Sequence, residues 1–426
     1  MLRQRTRCHV LAVLVAIAGC QDRRAPSPAP SAPASASLAT SVSPSASAAP
    51  AGSGAEHPGA GTWRQVERLA IEARAKSDKL DGDEVGTSVA LSAEHLVVGA
   101  VHRARADGAL SGAIVVQRGT PSGVLREHRE KGEQLGLAVG VSGGDVLVGA
   151  PFADGRQKEC GAVFAYDGAG TATKLIGSGA EVKTGFGAQL AVSGTTAVVG
   201  QFGSVEHGSA WIFSKGKKGW QEVVRLRPRD VAKGKGSGFG AAVAIDGDRV
   251  VVGADFANVT ARASGALWVF ERTGGVFRET ARVEASDSRE NLYLGGVVAV
   301  SGDTIVASAR GPAPNTVYVF SRGAAGAWSQ SQKLVAPAGG TSFGDALAIS
   351  GGDLLIGAKQ AREGAGVVYA YSRKSGDPFV PAGEIAPREP KKDAWFGAAV
   401  ALEGGSVLVG ASLEDSRAGA AYLFTR

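Results

Sequence analysis

The sequence predicts an all-β fold over residues 63–426: a seven-bladed β-propeller of four-stranded antiparallel blades, its ring closed by the N-terminal strand completing the last blade. Three observations predict it. One motif of two apolar runs around a tight turn occurs seven times. Its period, 49 to 55 residues between aligned glycines, is that of strand-built rings and solenoids. The two ends of the region hold complementary parts of one repeat.

The motif reads "GFGAAVAIDGDRVVVGA" at 238–254, and other copies start at 84, 134, 185, 293, 342 and 395. They align Gly86, Gly136, Gly187, Gly240, Gly295, Gly344 and Gly397. The first strand carries alternating apolar residues such as Val243 and Ile245, and the Ser/Gly/Asp turn after it is a hairpin turn. The second strand is the apolar run "RVVVGA". A variable loop leads to a third strand, such as "GALWVFE" or "GVVYAYS". The fourth is polar, as in "WQEVVRLRP" and "FRETARVEA". Polarity rising from first to fourth strand suits blades that radiate from a crowded axis to an exposed rim. Beside the axis, the small residues Gly240, Ala241 and Ala242 let backbones approach, and Phe239 fills the wedge between blades. The last copy stops after a third strand, "GAAYLFTR", while "WRQVERLAI" from Trp63 reads as a spare fourth strand. Pairing them leaves no open edge, whereas a solenoid would need a cap at each end.

Residues 1–19, with Arg3, Arg5 and Arg7 ahead of the short apolar run Val10–Ala18, read as a secretory signal too short to span a bilayer. "IAGC" at 17–20 resembles the bacterial lipobox, which implies lipidation of Cys20; the plainer alternative is an ordinary signal with an incidental cysteine. Residues 20–62 form a Pro/Ala/Ser tether with almost nothing to bury, reaching roughly 130 Å as polyproline and ~40 Å as a coil. The expectation is a ring held off a bacterial envelope membrane, the outer membrane or cell surface, by its lipid.

The pairs "FG" at 186–187, 239–240, 343–344 and 396–397, each followed by "GA" or its variant, resemble the FG-GAP repeat of integrin α-chain propellers and many bacterial secreted proteins. The full "GAP" occurs once, at Gly149–Pro151. The resemblance implies a propeller used for recognition. Integrin-type calcium blades carry an Asp-x-Asp-x-Asp-Gly loop. Here that loop is a tight turn, and Asp246 and Asp248 are too few to wrap an ion that takes six to eight oxygens. No cofactor is therefore expected. Asp78, Asp81, Asp83 and Glu84 make one acidic loop entering the first blade, read as a solvated Asp-Gly turn with a weak calcium site as its alternative.

Little points to catalysis. Gly140–Gly144 spells G-x-S-x-G, but Ser142 occupies a turn slot that Ser193, Ser301 and Ser350 share, with no helix after it. His95, His102, His128 and His207 lie at no metal-ligand spacing. Cys160 is the one cysteine outside residues 1–20 and reads as buried filler, so the ring relies on its core rather than a disulfide. The formal charge of +6 falls to about +3 without the three signal arginines, and the basic stretch 225–236 lacks interleaved aromatics. Nucleic acid is not an expected partner.

Function is then expected on the variable loops, which carry Arg103, Arg105, Asp154, Arg156, Asp255, Arg262, Arg362 and Asp415. Their polarity suits a protein or glycan partner of a monomeric, non-catalytic ring; the bland alternative is tolerated surface insertions. A lectin-like carbohydrate-binding propeller and an envelope hydrolase with residues converging on the central channel are the other readings. Three or more titratable groups at the axis would favour the hydrolase.

Overall fold

The structure, a computed structural model, describes residues 62–71, 82–102, 112–117, 124–127, 134–142, 144–201, 203, 208–230, 237–311, 315–337 and 340–426, with backbone alone for 113–117, 124–127 and Ser142. Cys20 and the tether, Asp78, Asp81, Arg103, Arg105, His128 and His207 lie outside the described residues.

The chain opens with β1 (Arg64–Leu69). Next come β2–β5 (Val85–Leu91, Leu96–Ala100, Ala113–Gln117, Val124–Glu127) and β6–β9 (Val139–Ser142, Asp145–Ala150, Ala162–Tyr166, Ala172–Leu175). They are followed by β10–β13 (Gln189–Ser193, Thr196–Gln201, Ser209–Gly216, Gly219–Leu226) and β14–β17 (Ala242–Asp246, Arg249–Ala254, Ala266–Thr273, Val276–Val283). Then come β18–β21 (Leu294–Ser301, Thr304–Ala309, Thr316–Arg322, Trp328–Val335) and β22–β25 (Ala346–Ser350, Asp353–Ala358, Val367–Ser372, Val380–Ile385). The last three are β26 (Phe396–Glu403), β27 (Ser406–Ala411) and β28 (Ala420–Thr425). Each group of four pairs in sequence order as one antiparallel sheet, and β26, β27 and β28 are completed by β1, giving seven four-stranded sheets. The sheets are referred to below as blades 1 to 7, starting with β2–β5.

First strands form the inner wall. β2 packs on β6, β6 on β10, and so on to β26, which returns to β2. Burial does not fall steadily from axis to rim, as the strand compositions suggest. Every residue of β10 is half-buried, every residue of β11 is buried, and β13 alternates. The first strands keep one side toward the axis, so the second and third strands carry the interior between blades.

The glycines of the motif explain how the blades approach. A Cβ placed on Gly253, in β15, would stand 2.0 Å from the carbonyl oxygen of Gly295 in the next blade. The same contact joins Gly99 to Gly136, Gly149 to Gly187, Gly200 to Gly240, Gly357 to Gly397, and Gly410 back to Gly86. Thus the "G" of "GA" in one blade receives the "G" of "FG" from the following one. At the remaining interface Ser308 stands in for the first glycine, facing Gly344, and its buried Oγ has no hydrogen-bond partner. Phe239 is fully buried between blades 3 and 4, among Val198, Ala210 and Ile212 on one side and Trp268 and Phe270 on the other. It meets those two rings edge-on at 5.7 and 6.2 Å. Cys160 is likewise fully buried.

Candidate functional site

The two faces of the ring are built differently. One carries the hairpins joining first to second and third to fourth strands. There, three turns tie themselves to the preceding blade: Gly247 N–H donates to Ser193 Oγ (3.0 Å), Gly302 N–H to Asp246 Oδ2 (2.6 Å) and Gly351 N–H to Ser301 Oγ (3.1 Å). The turn slot of Ser142 thus serves as an acceptor for a neighbouring blade's backbone at Ser193, Asp246 and Ser301, and at Ser92 it accepts from its own turn instead. Asp248 is occupied as well, accepting from Arg272 Nε at 2.6 Å.

The opposite face holds the second-to-third loops and the connections between blades. All fifteen non-glycine residues with left-handed φ lie on it, among the described residues. The position two before the motif glycine is left-handed in every copy, as Gly185 and Gly238 in two of them and as Glu84, Gln134, Tyr293, Ser342 and Trp395 in the others. Such a conformation is strained for bulky side chains and persists where the surroundings over-determine it. Backbone bonds do so here: Tyr293 N–H donates to Ala263 O, Trp395 N–H to Gly364 O and Lys183 N–H to Glu159 O, each pinning a connection to the loop beside it. The long-loop face is stiff.

The residues expected on this face do not converge on one site. Asp154 caps its own loop, accepting from Glu159 N–H at 2.8 Å, and Arg156 is exposed. Arg262 faces Glu290 across 3.8 Å, and Arg362 pairs with Glu384 on β25, the outermost strand of its blade. Asp415 accepts from Arg68 on β1 and from Lys391. These five stand toward the rim. Asp255 alone turns inward.

Asp255 follows β15 directly, at the end of the strand nearest the long-loop face. Burial pushes its carboxyl up to about 6, with Arg310 and the backbone N–H groups of Asp255 and Phe256 opposing only in part. Arg310 and Lys359 hold the same position in the next two blades, and Asp345 stands between them, 3.8 Å from Arg310 Nε and 3.3 Å from Lys359 Nζ. Four titratable groups therefore gather at one arc of the axial mouth. Sequence reading missed three of them because each is a single charge far from the others along the chain. Comparing the residue after "GA" across the seven copies would have found the row Asp255, Arg310, Lys359.

A second cluster sits where blades 7 and 1 meet. Asp83 and Glu84 are buried rather than forming a solvated turn. Glu84 accepts from Arg417 Nε at 3.0 Å and lies 3.0 Å from His102 Nδ1. Burial raises the Glu84 carboxyl, but His102 and Arg417 together hold it below the usual carboxylate range. Nearby, buried Glu414 accepts from Tyr422 O–H (2.6 Å), Arg68 Nη2 (2.7 Å) and Lys391 Nζ (3.0 Å). These groups fasten β1 and the first blade to the last, so their role is ring closure. Among the described residues no group of three or more His, Cys, Asp or Glu could hold a metal ion.

No curated protein matches the chain significantly. The sequence profile of the FG-GAP repeat family matches residues 220–270 and 382–424. Both segments run from a fourth strand to the third strand of the next blade, β13 to β16 and β25 to β28. The sequence repeat is thus offset by one strand from the blade, and β1 completes the last blade through that same offset. Together with blades locked glycine to glycine at the two places the repeat keeps in this chain, these matches show that the β-propeller carries FG-GAP repeats.

Proposed function

We propose that this propeller is a non-catalytic recognition module, held in a bacterial cell envelope by lipid on Cys20 and the 20–62 tether, with its partner on the long-loop face. One observation carries the reading: the backbone strain gathers on that face, together with the buried Asp255 Oδ1 and Arg310 Nε that lack a hydrogen-bond partner, while three turns of the hairpin face are bonded to the neighbouring blade. A face stiffened by cross-loop bonds presents its side chains at little ordering cost. Affinity capture from the organism's envelope tests the partner, with the wild-type chain beside a chain in which Arg103, Arg105, Arg156 and Arg362 are changed to Glu. A partner held by the wild type and lost by the variant supports the face; identical captures by both refute it. Labelled-palmitate incorporation that persists in Cys20→Ser would refute the anchor.

The hydrolase reading keeps one observation in its favour, the four titratable groups at the axial mouth. An acid held near pH 6 beside a second carboxylate is the raw material of acid–base chemistry. That reading requires turnover that falls at least 100-fold in both Asp255→Asn and Asp345→Asn.

A further inference from the structure

The axial mouth is asymmetric. In the slot after "GA", Val101, Pro151 and Ser412 occupy blades 1, 2 and 7, whereas Asp255, Arg310 and Lys359 occupy blades 4, 5 and 6. Asp255 and Arg310 both reach toward Gly296, where an added methyl would lie 3.5 Å from Asp255 Oδ2 and 3.6 Å from Arg310 Nη1. They nevertheless do not pair with each other. Asp255 Oδ1 and Arg310 Nε are both buried without a hydrogen-bond partner. Oδ1 faces Gly238 and Nε lies 3.8 Å from Asp345 Oδ1, so the atoms turned toward Gly296 are Oδ2 and Nη1. Buried polar atoms in native proteins are ordinarily paired, so two side chains that each leave one unmatched beside the same gap call for a group that answers both.

Aromatic rings lie along the arc, one pair beside Asp255 and one ring beside Lys359. Phe256 and Tyr293 meet edge-on at 5.3 Å, and Trp395 lies beneath Lys359 Nζ at 4.8 Å. Tyr293 and Trp395 occupy the left-handed slot, with φ of 55° and 57°, where blades 3 and 4 use glycine. Bulky rings are thus held at a strained position beside the charged arc, and all three rings are half-buried.

The charges decide the ligand class. Acid, base, acid and base alternate along the arc and balance, so a net ionic ligand gains little from the cluster as a whole. A hydroxyl group donates and accepts at once, and a ring of them has an apolar C–H face that suits an aromatic wall. We propose that the arc of the mouth around Gly296 binds a neutral saccharide, with Asp255 accepting from and Arg310 donating to its hydroxyls, and Tyr293 or Trp395 beneath the sugar ring. The proposal rests on the long-loop face being the recognition face and names the ligand class for its axial part.

The test uses the full chain and a panel of glucose, galactose, mannose, N-acetylglucosamine and their β-linked disaccharides, followed by saturation-transfer NMR and tryptophan fluorescence. At least one sugar is expected to bind, with affinity at least tenfold weaker in Asp255→Ala. Gly296→Val should weaken it as much, because it fills the gap without changing charge, and Gly296 is not a left-handed position. The rim pair Arg156→Glu and Arg362→Glu should leave sugar affinity unchanged. Failure of every sugar to bind, equal binding by wild type and both mouth variants, or a preference for phosphate or acetate over sugars each overturns the proposal. Envelope capture that depends on the rim arginines while no sugar binds would overturn this proposal alone. Sugar binding with a capture that ignores the rim would overturn the loop-rim reading instead.

Discussion

Asp255→Asn should make the protein more stable at neutral pH, and the gain should vanish in acid. In the unfolded chain this carboxyl titrates near 3.8, whereas in the ring burial holds it at about 6. Below about pH 3 both states carry the proton, and the residue costs nothing. As pH rises from about 4 to 6 the unfolded chain releases its proton while the folded one retains it, so stability falls. Above pH 6 the full cost is present. The difference between 3.8 and about 6, at 1.36 kcal/mol per pH unit, is worth ~3 kcal/mol. Asparagine keeps a carbonyl for the Phe256 N–H and has no charge to bury, so its advantage should grow from ~0.5 kcal/mol at pH 4 to ~3 kcal/mol at pH 8. With unfolding entropy of ~2 cal/mol/K per residue, that is a rise of ~4 °C in Tm for a ring of this size. Urea unfolding of wild type and variant across pH 4–8 reads the difference directly and cancels the titration of every other carboxylate. A difference that is flat with pH, or a variant less stable at pH 8, would refute the reasoning.

Five further outcomes follow from the packing. Gly253→Ala must displace the Gly295 carbonyl and should cost ~1–3 kcal/mol or more in urea unfolding, whereas Ser308→Ala, which removes an unpartnered hydroxyl, should be neutral or stabilising by ~1 kcal/mol. Phe239→Ala opens the wedge between blades 3 and 4 and should cost ~3–5 kcal/mol by the same assay. Glu414→Gln leaves Arg68 and Lys391 facing a neutral amide at the closure and should cost ~3 kcal/mol, with hydrogen exchange accelerating first in β1 and β28. Tyr422→Phe, which removes only the O–H donated to Glu414, should cost less, ~1–2 kcal/mol.

What could be read along the chain was what repeats along it. The four strands per period, the hairpin turns and the pairing of Arg64–Leu69 with Ala420–Thr425 follow from a motif that needs no spatial information. Partners distant in sequence were not legible. "DGDEVG" looks like any solvated turn until Arg417, 333 residues away, and His102 close over Glu84. Loop composition pointed to the correct face for Asp255 but grouped it with Arg362 and Asp415, whose side chains are drawn outward by Glu384, Arg68 and Lys391. Hydrophobic pattern also misplaced the most buried layer. A first strand facing the axis stays half-exposed however apolar it is, and only the ring geometry reveals that.

The same geometry explains why the motif's third letter drifts. At six of the seven interfaces the glycine of "GA" meets the backbone carbonyl of the next blade at a distance that admits no Cβ, and at the seventh Ser308 takes its place. The "FG" phenylalanine, or Leu135, Leu294 or Val85 in its place, fills the wedge and is buried wherever it occurs. The residue after "GA" has no such duty. It leaves the second strand at the mouth of the axis and varies widely, from the buried Val101, Pro151 and Ser412 to the half-buried Asp255, Arg310 and Lys359. Among the described residues six such positions lie at one end of the ring, each set by its own blade. A fold of this kind can change what its axis binds one blade at a time. In this chain the arc from Asp255 to Lys359 is where the charges have collected, and Asp255 is kept there against the stability its neutral form would provide.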